Sequence, residues 1–340
     1  MSSPLLSICI PAYNRPEKLE ILLKTIDGND PSGIEIVVCE DVSPRREEIR
    51  KVVEKFKVET NYSVIYHENK ENLGFDGNLI QLVKSAGGEW IVFMGDDDEF
   101  IPGAIDKLIV FIKKHRDIVY VLRRYETVHG DGSVENFRYY FGNKFFEPGE
   151  KTYEEIFRKS VFISGFTIKR DLIIPHLIDE FDRFGLIQIY WVAELVLNNK
   201  SAYFDEPITR QVEDVDYRAK EMMYEEGTQK IVSRPVSLKQ SLDFMSGYPK
   251  MAMFLDKKYK LNSFSLIMRD LSKYSYPILA IHRNKGIHIF LDYVKELNKL
   301  GYNITIYYYL YVVSLLFFGK KFCDFFIMSI KKILGKTPSL

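Results

Sequence analysis

Gly87-Gly88-Glu89-Trp90-Ile91-Val92-Phe93-Met94-Gly95-Asp96-Asp97-Asp98-Glu99-Phe100 is an apolar run that opens directly onto three successive carboxylates. The run reads as a buried strand. Three adjacent like charges repel one another, so a compact fold tolerates them best with something positive among them: a divalent cation, or nearby Lys and Arg. Carboxylates at a strand end, with flexible neighbours at Gly87, Gly88, Gly95 and Gly103, suit Mg2+ or Mn2+ shared with a phosphate group. A solvated acidic turn is the alternative. The residues upstream decide between the two.

Residues 5–10 read as a first strand, 11–16 as a polar turn, and 17–26 as an amphipathic helix with Leu19, Leu22, Leu23 and Ile26 on one side. Residues 34–39 form a second strand ending at Glu40-Asp41. A charged helix (45–56), a third strand (62–67) and another helix (75–86) precede the strand at 90–94. That alternation predicts an α/β fold with a mostly parallel sheet and helices on both faces. Continuously apolar strands fit a sheet buried on both sides. Ligands in such sheets sit beyond the carboxyl ends of the strands. Three of the four strands end in residues suited to one: Tyr13-Asn14-Arg15, Glu40-Asp41 and Asp96-Asp97-Asp98. The convergence favours a ligand site over a solvated turn. No Gly-x-Gly-x-x-Gly follows the first strand, and the Gly-Lys-Thr at residues 335–337 lacks the glycine five residues upstream that a phosphate loop requires, which removes the usual support for nicotinamide and P-loop chemistry. A nucleotide held by carboxylates and a metal remains.

Four segments, Ser7-Ile8-Cys9-Ile10-Pro11-Ala12-Tyr13-Asn14-Arg15, Ile36-Val37-Val38-Cys39-Glu40-Asp41-Val42-Ser43, Asn72-Leu73-Gly74-Phe75-Asp76-Gly77-Asn78 and residues 88–98, occur in an order and spacing that resembles the inverting nucleotide-sugar glycosyltransferases of family 2. The resemblance covers roughly residues 5–210. It implies the GT-A fold, a Rossmann-like sheet, and a nucleotide-sugar donor, with a UDP-sugar preferred. In that frame Pro11, Tyr13, Asn14 and Arg15 line the base and diphosphate. Glu40 or Asp41 accepts from the uracil or other base, with Asp41 preferred. Asn72, Gly74, Asp76 and Asn78 belong to the Asn-x-Gly turn and helix start of the donor side.

Counted without a gap, the family's first Asp of Asp-x-Asp falls on Gly95, a departure. Asp97 is then assigned to Mn2+ or Mg2+, Asp96 to ribose or sugar, and Asp98 to a structural or second metal-side role. A register pairing Asp96 with Asp98 stays open. The resemblance also implies an acid pair before a late helix, but residues 185–188 read Gly185-Leu186-Ile187-Gln188. Asp182 is taken as the general base because it precedes that helix; Asp179, Glu180 and Glu194 are nearby alternatives. The missing pair resembles an abequosyltransferase-like subgroup acting in bacterial surface polysaccharide (capsule or O-antigen) synthesis. Ser164, Gly165, Gln188 and Trp191 are the acceptor-side candidates. For Gly165 a flexible point in a strand, and for Trp191 a place in the helix core, are the plainer readings.

A length of 340 residues accommodates one large or two modest domains. The reading is a catalytic domain (1–215), a mostly helical extension (216–300) and an apolar, aromatic, basic tail (301–340). With 47 basic and 47 acidic residues the net charge is zero, so no global field recruits nucleic acid. Cys9, Cys39 and Cys323 match no zinc or redox spacing and suit buried thiols in a reducing compartment. The start shows no basic-then-apolar leader, so cleavage of a signal peptide is not expected.

Residues 301–319 lack charge and carry Tyr302, Tyr307, Tyr308, Tyr309 and Tyr311, and residues 301–340 hold five lysines against one acid. A membrane-seated, peripheral or monotopic tail on the cytoplasmic side of the inner or plasma membrane is expected, with a lipid-linked glycan as acceptor. A true span, or a buried helical pair or homo-oligomer contact, is the alternative. A nucleotidyltransferase and a catalytically altered carbohydrate-binding scaffold are the competing functions. The first would want a glycine-rich basic loop, which residues 11–16 do not supply.

Overall fold

The computed structural model describes residues 3–130, 132–182, 184–212, 220–224, 231–235 and 237–334. Its first half follows the alternation of the sequence: β1 (Leu6–Ala12), α1 (Pro16–Lys24), β2 (Ile34–Glu40), α2 (Arg46–Glu59), β3 (Ser63–Glu68), α3 (Gly74–Ser85) and β4 (Trp90–Phe93). These strands lie in the order β3-β2-β1-β4, all parallel. Every side chain of β2 and β4 is buried, which is why their runs are unbroken by polar alternation. The register sets Ala12 of β1 beside Glu40 of β2, and Cys9 beside Phe93 of β4. The polar residues that follow all three strands therefore emerge at one edge.

The sheet continues through β5 (Asp98–Phe100), α4 (Ala104–Lys114), β6 (Tyr120–Val128), β7 (Val134–Phe137), β8 (Lys144–Phe146), α5 (Glu150–Ile156), β9 (Phe166–Lys169), α6 (Arg170–Ile173), α7 (Ile187–Asn198) and β10 (Ser201–Val212). The full order is β3-β2-β1-β4-β9-β6-β10-β5, with β7 on β6 and β8 on β10. β9 runs antiparallel to both β4 and β6, and β10 parallel to β6. One core joins Leu6, Ile8, Ile36 and Val92 to Leu19 and Leu22 of α1, Ile49 and Val53 of α2, and Ile105 and Leu108 of α4. On α7 the first ten residues are buried, and Trp191 stacks on Phe93.

Three expectations shift. The apolar stretch 161–169 is a strand only from Phe166; Ile163–Gly165 is a 3-10 turn. Helix is expected over 172–181, but it stops at Ile173, and Ile174–His176 forms another 3-10 turn with proline near its start. A brief strand is expected over 202–204, leading to Glu206-Pro207, but it runs on to Val212. The proline is accommodated at a shift of register between Phe204 and Thr209, where a missing N–H breaks no regular ladder.

A second compact unit contains α8 (Leu238–Tyr259), α9 (Phe264–Lys273), α10 (Tyr276–Asn284), α11 (Ile287–Lys299) and α12 (Ile306–Leu334). A capping box of Ser237 and Gln240 starts α8. Met251, Leu255, Ile267, Leu271, Leu279, Phe290 and Tyr293 are buried in this unit. The strands β11 (Lys220–Tyr224) and β12 (Ile231–Pro235) pair with each other. The expected boundary at 215/216 and the end of the tail, with Lys336, lie outside the described residues. No helix among the described residues is long and apolar enough to cross a membrane.

The glycines before β4 serve packing at the far end of the sheet, away from the acids. Glu35 Oε1 accepts from Gly87 N, Gly88 N and Ser7 Oγ. A Cβ on Gly88 would meet Ser7 Oγ at 2.5 Å and Ser7 N at 2.8 Å. Gly88→Ala is therefore expected to cost about 1–3 kcal/mol of stability through overpacking against a central strand. A chemical denaturation midpoint equal to that of the parent protein would remove this role.

Candidate active site

The turn after β4 points its three carboxylates at three different partners. Asp96 Oδ2 accepts from Tyr13 N at 3.2 Å, while Oδ1 pairs with the Arg15 guanidinium. Asp97 Oδ2 accepts from Arg15 Nη1 at 2.5 Å. Asp98 Oδ2 accepts from Ser164 Oγ, which itself accepts from Gly95 N at 2.9 Å. The positive group among the acids is thus Arg15. Asp97 is 27% exposed, whereas Asp96 and Asp98 are almost sealed. A Cβ on Gly95 would lie 2.9 Å from Asp98 Oδ2 and 3.1 Å from Asp97 Oδ1. Glycine here lets the three acids pack, which accounts for the departure from Asp at that position.

Burial, outweighing Arg15, raises the Asp96 pKa to about 6. Burial, with the Asp97 charge beside it, raises Asp98 to about 8. Asn14 stands between the two anchored residues with φ 62, a conformation Asn tolerates better than most side chains. It is buried, and neither amide atom has a hydrogen-bond partner among the described residues. Buried polar groups are nearly always satisfied, so this amide is a point where a ligand atom fits.

The loops after β2 and β3 are tied together by amides. Asp41 Oδ1 accepts from Asn69 Nδ2 and Leu73 N, both at 2.8 Å, and Asn72 Nδ2 donates to Asp41 O at 2.8 Å. Asn78 accepts from Asn69 and donates to Cys39 O. Gly74 starts α3 with φ 71, and its N–H donates to Asn72 Oδ1. Pro11 lies within β1. Burial raises the Asp41 pKa against these hydrogen bonds.

Glu40 needs correcting as a base-binding candidate. Its carboxylate is fully buried and accepts from Val42 N, Ser43 N and Arg46 Nε, so it closes its own loop. Asp76 is likewise a brace. It accepts from Gly185 N at 2.6 Å and Ile187 N at 3.0 Å and so caps the start of α7. That start is where an acid pair was expected; Asp76 reaches it from α3 instead. Asp182 is exposed in the turn before α7 and interacts electrostatically with Asp76.

Among the acceptor candidates, Trp191 is fully buried against Phe93 and donates to His176 O, so it is core and no sugar platform. Gly165 is buried where a Cβ would press on the Phe162 ring at 3.1 Å; its small size serves that packing. Gln188 is buried, donates to Val161 O, and leaves Oε1 without a partner among the described residues. Ser164 is the link between halves of the sheet: its carbonyl accepts from Arg123 Nη2 at 2.9 Å and Thr209 Oγ1 at 2.7 Å. Arg123, which sequence reading passed over, is fully buried and also donates to Phe166 O. An arginine closing an apolar run gave no signal of that role.

The fold and its acid-lined strand ends define a GT-A type of α/β domain. S. aureus TarS 1-349 has this fold, with TM-score 0.62 at 14% identity over 98% of this chain and 93% of that one. So does a mannosyltransferase from Pyrobaculum calidifontis in complex with GDP-Man and Mn2+, at TM-score 0.53, 12% identity, and 99% and 89% coverage. Residues 7–170 match the family model described as glycosyl transferase family 2 and form a domain of that family. Abequosyltransferase RfbV of Salmonella typhimurium is 31% identical over 123 residues, 36% of this chain and 37% of that protein. The GalNAc(5)-diNAcBac-PP-undecaprenol beta-1,3-glucosyltransferase of Campylobacter jejuni is 30% identical over 106 residues, 31% and 34% of the two chains. The match therefore spans little more than a third of these relatives.

Two outcomes follow from the braces. Asp76→Ala leaves the Gly185 and Ile187 N–H groups without their acceptor and is expected to cost about 1–3 kcal/mol, read as a lower denaturation midpoint. Asp98 binds its proton more tightly folded than unfolded, where carboxylates titrate near about 4. Its contribution to stability is full below that pH and is lost as pH rises towards about 8. Asp98→Asn should flatten the decline of nucleotide-free stability across that window; an unchanged slope would contradict the shift.

Proposed function

We propose that this chain transfers a sugar from a nucleotide-sugar donor, a UDP-sugar, to a lipid-linked glycan during bacterial surface polysaccharide synthesis. The observation that carries the reading is the convergence at the ends of β1 and β4. An orphaned buried amide (Asn14), a guanidinium (Arg15) and a half-open carboxylate (Asp97) meet there. A diphosphate supplies acceptors for the first two. Family membership of residues 7–170 supports sugar transfer, as do relatives named for abequosyl and glucosyl transfer. One relative's name carries a PP-undecaprenol acceptor, and a TarS complex holds UDP-GlcNAc. Both favour the lipid-linked acceptor and the uridine donor.

A divalent cation fits this donor set on one condition. Among the described residues no group of three or more His, Cys, Asp or Glu is arranged for a metal. Mg2+ and Mn2+ at nucleotide sites commonly take one or two carboxylates plus the substrate's phosphates, and Asp97 is the carboxylate with an open side. Asp97 would hold the ion together with the diphosphate, and the ion would neutralise charge developing on the leaving group. Asp98, engaged by Ser164, would brace the turn and not ligate. Asp96 would keep Tyr13 and Arg15 in place, with Asn14 and Arg15 meeting the diphosphate. The Asp41 cluster would border the base.

Asp182 is the proposed general base of an inverting transfer. It is the exposed acid beside the Asp76-capped start of α7, and it would take the proton from the acceptor hydroxyl. Access to a lipid-linked acceptor places the enzyme peripherally on the cytoplasmic face of the membrane.

A panel of nucleoside diphosphates, titrated with and without Mn2+, tests the donor site. UDP is expected to bind more tightly with Mn2+, and Asp97→Asn to remove at least tenfold of that gain. Binding that ignores both the metal and Asp97 would overturn the assignment. Asp182→Asn should leave UDP affinity unchanged and lower kcat by about 10²-fold or more; a rate within threefold of the parent would exclude Asp182.

A further inference from the structure

The longest helix of the second unit presents a large apolar face that the unit itself does not cover. Its inner side is packed: Tyr308 and Leu315 are buried, and Tyr311 donates to Lys273 O at 3.0 Å. On its outer side Ile306, Leu310, Val313 and Phe317 are exposed at helical spacing. Gly319 then breaks the helix with φ 73 and ψ 174. The carbonyl of Leu315, one turn before the break, accepts from Arg283 Nε at 2.8 Å. The break is thus a built feature. Beyond it a second limb exposes Phe322, Phe325 and Phe326, with Phe318 at the bend.

Charge decides what covers this face. Residues 301–340 carry five lysines and a single acid, Asp324. That acid is already engaged by Lys320 and by Tyr276 Oη at 2.6 Å. A second copy of the chain would bring the same lysines and the same engaged acid, so it offers no match. No helix among the described residues is long and apolar enough to cross a membrane. Exposed Phe side chains interleaved with lysines suit the boundary between acyl chains and anionic headgroups. We infer that the outer face of α12, on both sides of Gly319, seats the protein on an anionic phospholipid bilayer. The purpose of the seat, meeting a lipid-linked acceptor, rests on the transferase reading; the seat itself does not.

Co-sedimentation of the full chain with vesicles tests it, using pure phosphatidylcholine against a mixture with one-third phosphatidylglycerol. Binding to the anionic vesicles is expected to be at least tenfold tighter and to weaken with salt. Lys320→Gln/Lys321→Gln should lower it roughly 30-fold, two lysines each worth about fivefold. Phe322→Ser/Phe325→Ser should lower it at least tenfold at unchanged circular dichroism. Equal affinity for the two vesicles, no binding to either, or self-association that the Phe variant abolishes would overturn the inference. UDP binding is measured on the same samples. Lost vesicle binding with retained UDP binding removes only the seat, and absent UDP binding with intact vesicle binding removes only the transferase reading.

Discussion

Three consecutive carboxylates at the end of a buried strand repel one another, and one guanidinium offsets part of that repulsion. Arg15, just past β1, pairs with Asp96 and Asp97, just past β4. The two strands are adjacent and parallel, so the pairing follows from topology. It also explains why the acids differ. Asp96 is drawn inward to Tyr13 N, Asp98 is sealed against Ser164, and Asp97 is left facing out. Of the three acids, only Asp97 keeps an exposed side.

Ser164 carries the constraint across the sheet. Its hydroxyl fixes the acid turn, and its carbonyl is held by Arg123 of β6 and Thr209 of β10. Burial presses the Arg123 pKa down, yet a guanidinium stays charged. A full positive charge therefore sits close behind the acid turn. Hydrogen bonds through such a buried charge are stronger than neutral ones, so the geometry of Gly95 to Asp98 is set by strands on both sides of β9.

Much of the fold was legible because a sheet buried on both faces writes itself as unbroken apolar runs separated by amphipathic helices. The α/β architecture is legible on that basis, and the family likeness in the four segments at 7–15, 36–43, 72–78 and 88–98. The roles of single polar residues were less legible, since an acid at a strand end looks the same whether it awaits a ligand or closes its own loop, as Glu40 does. Trp191 and Gln188 lie on a helix buried on all sides, where no periodicity separates an inner from an outer face. Asp76 reaches the start of α7 from 109 and 111 residues away in sequence, a distance no local pattern spans. Pro207 hid half of β10 because a proline in a strand is read as its end.

The most direct test is a crystal structure with UDP and Mn2+ bound. Arg15 should release Asp97 to the ion and turn to the diphosphate, Asn14 should gain a partner, and Asp96 should still accept from Tyr13 N. An unbroken Arg15–Asp97 pair, with the nucleotide bound elsewhere on the chain, would contradict the assignment of this strand edge as the donor site.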